Sequence, residues 1–261
     1  MDPAPLVLSI RGLSKRYGGF QAVSDLNLDV ARGEIFALLG PNGAGKTTTI
    51  RMLMGILQPT AGSASIDGID CFRERARTMR NVGYLPDEPV FHDYLRAREI
   101  IRFVGDMHGL TRGAIDERSR PLLERLQLDD ATEEYAVNFS RGMKKKLALV
   151  CALLHDPTFL ILDEPTSGLD PLVTRTLLDL VRSWSGAGKT IFFSTHLLEQ
   201  AEKLCHRAGI LFRGTLAAVG TLDELRSRLS RGGSLEEVFF AVTDGSEKPE
   251  SESTGAGVPQ A

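Results

Sequence analysis

Long apolar runs are missing from this sequence: the longest, Leu147 to Leu154, has eight residues. A helix that crosses a bilayer needs about twenty, so any work at a membrane would pass through a partner. Cysteine is scarce. The three present, Cys71, Cys151 and Cys205, are odd in number and share no short spacing. That excludes a disulfide framework or thiolate metal cluster as the organising device, and a reducing cytosol is the simplest compartment. Charge of one sign is also lacking, since 31 Lys and Arg face 34 Asp and Glu for a formal net charge of −3. No global attraction to nucleic acid or anionic lipid follows from that balance, and no nucleic-acid partner is expected. Met1-Asp2-Pro3 is not followed by a basic and then an apolar stretch, so no signal peptide is expected. No internal repeat of useful length is present.

What is present is a β/α rhythm. At 261 residues the chain can bury one large core, with or without a subdomain. Leu6–Ile10, Glu34–Leu39 and the partly alternating Ala22–Val30 read as strands, and Ser63–Asp67 and Val82–Leu85 as shorter ones. Thr47–Leu57 reads as a helix ending near Gln58-Pro59. From about Tyr94 to His155 apolar residues recur at helical spacing without a convincing strand, which predicts a helical insert. The rhythm then resumes with strand Thr158–Leu162, helix Pro171–Ser185, strand Thr190–Ser194, helix Leu197–His206, strand Gly209–Phe212 and a small helix near Leu222–Leu229. Near-continuous apolar strands predict a parallel α/β sheet covered on both faces. From about Thr243 the chain is rich in Gly, Ser, Glu and Pro without aromatics, which predicts a disordered tail.

Gly40-Pro41-Asn42-Gly43-Ala44-Gly45-Lys46-Thr47 matches the phosphate-binding P-loop pattern in full, between a predicted strand and a predicted helix. Backbone N–H groups at such a helix start converge on an anion, and glycine lets the backbone close around it. Lys46 is expected to reach the β- and γ-phosphates of ATP, the Thr47 hydroxyl to ligate Mg²⁺, and Thr48 to join the cradle. Gly186-Ala187-Gly188-Lys189-Thr190 looks similar, but it leads into a strand rather than out of one. It is expected to be a helix-to-strand turn without function.

The strand Phe159–Leu162 delivers Asp163-Glu164 to the sheet edge where open α/β folds bind ligands. Asp163 is expected at Mg²⁺ and Glu164 at the attacking water, as its orienter and base. His196 follows the next strand and is expected on the same edge, within reach of the γ-phosphate.

These motifs, in this order, resemble the ATP-binding cassette of ABC transporters over nearly the whole chain, Leu6 to about Val242. Asn138-Phe139-Ser140-Arg141-Gly142-Met143 is similar to the family signature, usually Leu-Ser-Gly-Gly-Gln, with Ser140 and Gly142 kept. Ser167-Gly168-Leu169-Asp170 matches the D-loop, and Tyr17 stands where the family stacks an aromatic ring on adenine. The resemblance implies an α/β P-loop NTPase (RecA-like) core, residues 1–86 and 157–242, with a β-rich N-terminal subdomain and a helical subdomain at 87–156. It also implies a second cassette, so that Ser140, Gly142 and Asp170 complete a site holding the partner's ATP. An integral membrane permease would be the other partner, placing the chain on the cytoplasmic face of the membrane. One position departs: where most cassettes carry Gln, this chain reads Leu85-Pro86-Asp87-Glu88-Pro89, with Asp87 or Glu88 as the replacement at the metal and water shell. That replacement, the signature variant and Ser234–Phe239 resemble the ABC-2-type exporter branch. Lys144-Lys145-Lys146 is expected to be a solvated helix face. Two other classes compete: a soluble ABC ATPase acting on DNA or ribosomes, and a nucleotide sensor without turnover. The first usually carries two cassettes or long coiled coils, and the intact Glu164 and His196 argue against the second.

Overall fold

The computed structural model of the protein describes residues 5–227 and 234–243. Its first half runs β1 (Leu6–Tyr17), β2 (Phe20–Ala31), β3 (Ile35–Leu39), α1 (Lys46–Leu53), β4 (Ala61–Ile66), β5 (Ile69–Asp70), α2 (Arg75–Thr78) and β6 (Val82–Leu85). Three helices follow without a strand between them: α3 (Ala97–Met107), α4 (Arg112–Arg125) and α5 (Arg141–Leu153). The chain then returns through β7 (Phe159–Asp163), α6 (Pro171–Gly186), β8 (Thr190–Thr195), α7 (Leu198–Leu204), β9 (Arg207–Phe212), β10 (Thr215–Thr221), α8 (Leu222–Ser227) and α9 (Leu235–Thr243).

Two sheets result. One is antiparallel with order β2-β1-β4-β5, and the other has order β10-β9-β3-β8-β7-β6. In the second, β3 pairs in parallel with β8 and β9, and β7 in parallel with β8 and β6, while β10 closes the edge antiparallel to β9. The pleat explains why the central strands are apolar throughout. Ile35, Ala37 and Leu39 face the cluster that includes Leu147, Leu177 and Ile210, whereas Phe36 and Leu38 face the cluster under the antiparallel sheet with Leu8, Ile10 and Val30. β7 and β8 divide the same way: Leu160, Leu162, Ile191 and Phe193 face one side, and Phe159, Ile161 and Phe192 the other. Phe36 and Phe192 stack across neighbouring strands at 5.6 Å. Each such buried aromatic stabilises the sandwich by about 1.5–3 kcal/mol.

The differences from the sequence reading lie at boundaries and in a few elements it does not contain. The helix expected over Thr47–Leu57 ends at Leu53, because Gly55 turns the chain at φ 61° and lies against the Cys71 carbonyl, which a Cβ would meet at 2.3 Å. The helix expected over Leu197–His206 covers Leu198–Leu204: the Leu197 N–H is held by Thr195 Oγ1 at 3.0 Å, and Cys205 is already extended toward β9. Strand β10, helix α9 and the short elements β5 and α2 were not anticipated, since none carries a long periodic pattern. The expected tail begins one residue too early, as Thr243 closes α9; the rest of that expectation, like the end of the helix near Leu222–Leu229, lies outside the described residues.

Candidate nucleotide site

The loop after β3 is shaped by contacts that exclude side chains. Gly40 lies under the Leu211 carbonyl, where a Cβ would meet oxygen at 2.4 Å, and Gly45 lies under the Ala22 carbonyl at 2.6 Å with φ 108°. Gly43 also takes a positive φ, 80°, while the Ala44 side chain is buried and its N–H bonds to the Pro41 carbonyl at 3.2 Å. α1 starts at Lys46 without a side-chain cap, so its first N–H groups face the loop. Lys46 folds back, donating to the Gly40 carbonyl at 2.7 Å and the Pro41 carbonyl at 3.3 Å.

A cleft of about 280 Å³ opens over this loop. Tyr17, Pro41, Asn42, Gly43, Gly45, Lys46, Thr47 and Thr48 line it, together with Asp87, Glu164 and one aromatic missed from sequence, Phe20. Tyr17 and Phe20 face each other across the Gly18-Gly19 turn of the β1–β2 hairpin, and both are exposed. Sequence reading missed Phe20 because an exposed aromatic beside a turn has no distinguishing spacing.

The carboxylates come from the end of β7. Asp163 Oδ1 stands 3.4 Å from Thr47 Oγ1 and accepts from Ser194 Oγ at 2.5 Å. Burial raises the Asp163 carboxyl above its usual range, opposed by the Ser194 and Thr47 hydrogen bonds and reinforced by Asp87 and Glu164. Two hydroxyls and a buried carboxylate crowded by further acid suit a hard cation such as Mg²⁺, which would relieve that repulsion. Asp87 lines the cleft and the more exposed Glu88 does not, so Asp87 is the acidic residue of that loop nearest the phosphate end.

Glu164 sits in the left-handed region at φ 46°, an uncommon conformation for a residue with a side chain. Its N–H donates to Ser194 Oγ at 3.0 Å and lies 3.2 Å from the Ser194 carbonyl. Its Oε2 meets His196 Nδ1 at 2.9 Å. Its Oε1 stands 3.2 Å from Lys46 Nζ but accepts no aligned hydrogen bond, so a buried lone pair is left open. Ser194 therefore orients the Asp163 carboxylate and the Glu164 backbone. The strand register pairing Asp163 with Ser194 was the signal that could have revealed it.

Three predicted residues stand apart. Ser140 is exposed and caps α5, accepting from the Met143 N–H at 3.2 Å, with Gly142 in the same first turn. Asp170 caps α6, accepting from the Val173 N–H at 2.9 Å. None of the three lines the cleft. The Lys144–Lys146 expectation fails at its centre: Lys144 and Lys146 are half-buried, whereas Lys145 is fully buried. Lys145 shares the stripe of Ala148, Leu149 and Ala152, a helical period that the three identical letters obscured.

The family model described as "ABC transporter" matches residues 23–167. The chain belongs to the ABC transporter family. It is 36% identical to the "Linearmycin resistance ATP-binding protein LnrL" of Bacillus subtilis over 85% of this chain and 72% of that one. It is 39% identical to the "Bacitracin transport ATP-binding protein BcrA" of Bacillus licheniformis over 85% and 72% of the two chains. Similarity to the "Probable multidrug ABC transporter ATP-binding protein YbhF" of Escherichia coli is 37% over 87% of this chain, which spans only 39% of that relative's length. A solved "ATP binding subunit of ABC transporter" superposes with a TM-score of 0.85 at 36% identity, covering 90% of this chain and 99% of the other. The P-loop NTPase core with its antiparallel sheet and helical insertion is thus the family fold.

Proposed function

We propose that the chain is the ATP-hydrolysing subunit of an ABC transporter, powering export through a separate membrane-spanning partner. The observation that carries this reading is the convergence of Lys46, Thr47 and Glu164 on one cleft, with Asp163 behind Thr47 and His196 against Glu164. On this reading Tyr17 stacks the adenine, and the loop from Gly40 to Thr47, with Thr48, cradles the phosphates. Lys46 is drawn from the loop carbonyls toward the β- and γ-phosphates. Thr47, Asp163 and Asp87 would hold Mg²⁺, which supplies charge neutralisation when bound. Glu164, with one buried lone pair free, orients the attacking water and accepts its proton, and His196 fixes the carboxylate and reaches toward the γ-phosphate.

Export is supported by similarity to LnrL, a linearmycin resistance protein, and BcrA, a bacitracin transport protein. A second copy is supported by Ser140, an exposed helix start that lies outside its own cleft and has N–H groups suited to another cassette's phosphate. A permease is supported by exposed Val90 and Tyr94, which follow Asp87 and leave apolar surface without cover. Residues 1–242 would form one nucleotide-binding domain, with core 1–86 and 157–242 and helical subdomain 87–156, peripheral on the cytoplasmic face. Turnover of Mg·ATP by the purified chain, lost in Glu164→Gln with nucleotide still bound, tests the assignment. Undiminished turnover in that variant would overturn it.

A further inference from the structure

Lys145 is a lysine where a helix would ordinarily place an apolar side chain. It projects from α5 into the space between three loops and is 1% exposed. Its Nζ meets three oxygens: the backbone carbonyl of Glu164 in a short hydrogen bond, the backbone carbonyl of Ser167 at 3.1 Å, and Asp87 Oδ1 at 3.5 Å. These belong to the turn after β7, the segment leading to Gly168, and the loop after β6. The same Asp87 carboxylate lies 3.6 Å from Arg141 Nη2, one helical turn before Lys145.

Stability alone is a poor account of this arrangement. Desolvating an ammonium costs several kcal/mol, and replacing a whole buried ion pair by apolar groups is often neutral or stabilising. The geometry offers a more specific one. Glu164 holds its left-handed conformation because its peptide is fixed on both sides. Ser194 fixes the incoming N–H, while Lys145 and the Ser167 N–H, at 3.1 Å, share the outgoing carbonyl. With that carbonyl released, φ at Glu164 is free to relax out of the left-handed region, which swings Cβ and its carboxylate away from His196 and from the end of the cleft.

We propose that Lys145 is a positioning residue for ATP hydrolysis, which ties Asp87 to the Glu164 backbone so that the carboxylate is aligned only when the loop after β6 is in place. The tie supplies by charge what an amide at position 87 would supply by donating a hydrogen bond, since a carboxylate there only accepts. It makes the loop beside the exposed Val90 and Tyr94 a mechanical input to the hydrolytic carboxylate. The proposal rests on the ATPase reading above, and the two fail separately: turnover by the wild-type chain, abolished in Glu164→Gln, decides that reading without any Lys145 variant.

The test is steady-state ATPase kinetics and nucleotide-binding affinity for Lys145→Met, Lys145→Arg, Asp87→Asn and the Lys145→Met/Asp87→Asn pair, each with its melting temperature. Displacing a reacting group by about an ångström costs on the order of a hundredfold, so Lys145→Met should lower kcat by roughly ten- to a hundredfold with KM and ATP affinity within about twofold. Asp87 is part-exposed and keeps Arg141, so the melting temperature should fall only slightly, and Lys145→Arg should recover most of the rate. In the Asp87→Asn background the Lys145→Met effect should shrink, the sign of two residues acting as one unit. Amide exchange across residues 163–169, followed by mass spectrometry, should rise in Lys145→Met and return in Lys145→Arg, a readout independent of turnover. Unchanged kcat in Lys145→Met, a parallel loss of affinity and thermal stability, or strictly additive effects with Asp87→Asn would each overturn the proposal.

Discussion

Lys46 shows how far a single residue can be read. Its two carbonyl contacts and its approach to Glu164 hold the ammonium at the mouth of the loop, directed at the place a polyphosphate would take. A charge-assisted contact of this kind contributes about 1.5–3 kcal/mol, so Lys46→Ala should weaken ATP binding by roughly ten- to a hundredfold in equilibrium dialysis. A second residue-scale effect concerns pH. Burial, reinforced by the neighbouring His108, pulls His155 down from 6.5 to about 4, and the two rings stack at 3.8 Å. The folded state therefore binds its proton later than the unfolded chain. Stability should be complete above the unfolded value and fall as pH drops from 6.5 toward 4. Melting temperatures across that window should decline less steeply in His155→Gln. At this scale the motif residues were legible because phosphate chemistry imposes short, fixed spacings, as from Gly40 to Thr47. Ser194 and Lys145 were not, because their partners, Asp163, Glu164 and Asp87, are brought to them only by sheet register and helix docking.

Among elements, the seam between α5 and β6 carries the most information. Gly83 on β6 lies under the C-terminal turn of α5, where a Cβ would meet the Ala152 carbonyl at 2.3 Å, Leu160 at 2.7 Å and Pro157 at 2.9 Å. Backbone cannot yield there as a long side chain would. Gly83→Ala should destabilise the protein by about 1–3 kcal/mol, read as a shift of the urea midpoint at constant slope. The same seam sets where Asp87 emerges relative to Lys145, so the variant should also lower turnover of the folded enzyme. Element types were readable wherever periodicity ran long, as in β3, α6 and β8. Ends were not: Gly55 stops α1 against the Cys71 carbonyl, distant in sequence, while the Thr195 hydroxyl holds the Leu197 N–H and Cys205 runs extended toward β9, local features that leave the apolar period unchanged. Strand β10 escaped because Thr215–Thr221 is held by pairing with β9 rather than by its own alternation.

For the whole molecule, the sequence order of motifs maps onto one edge of the parallel sheet, since β3, β7 and β8 all end there. That much was legible, because hydrophobic strands ending in Gly, Asp-Glu and His leave few other arrangements. What separates the two halves of the proposed composite site is equally clear, with Ser140 and Asp170 lying outside the cleft. Glu164→Gln should therefore accumulate a dimer in size-exclusion chromatography with Mg·ATP, and run as a monomer without nucleotide. A variant that elutes as a monomer in both conditions, at concentrations well above its nucleotide Kd, would argue against closure by two copies.

The hydrogen bonds beneath the loop carry one more consequence. Ser24 N–H holds the Gly214 carbonyl at 2.8 Å, Gly214 N–H holds the Ala44 carbonyl at 3.0 Å, and the Ala22 carbonyl lies against Gly45. The β1–β2 hairpin with Tyr17 and Phe20 is thus fastened to the phosphate cradle through the β9–β10 turn. The two act as the fixed jaws of a caliper, its gap set before any nucleotide arrives. A ligand of the right span meets a gauge already cut to length, and little of its affinity is spent on ordering that frame. More is left to move the parts that are not fastened to it.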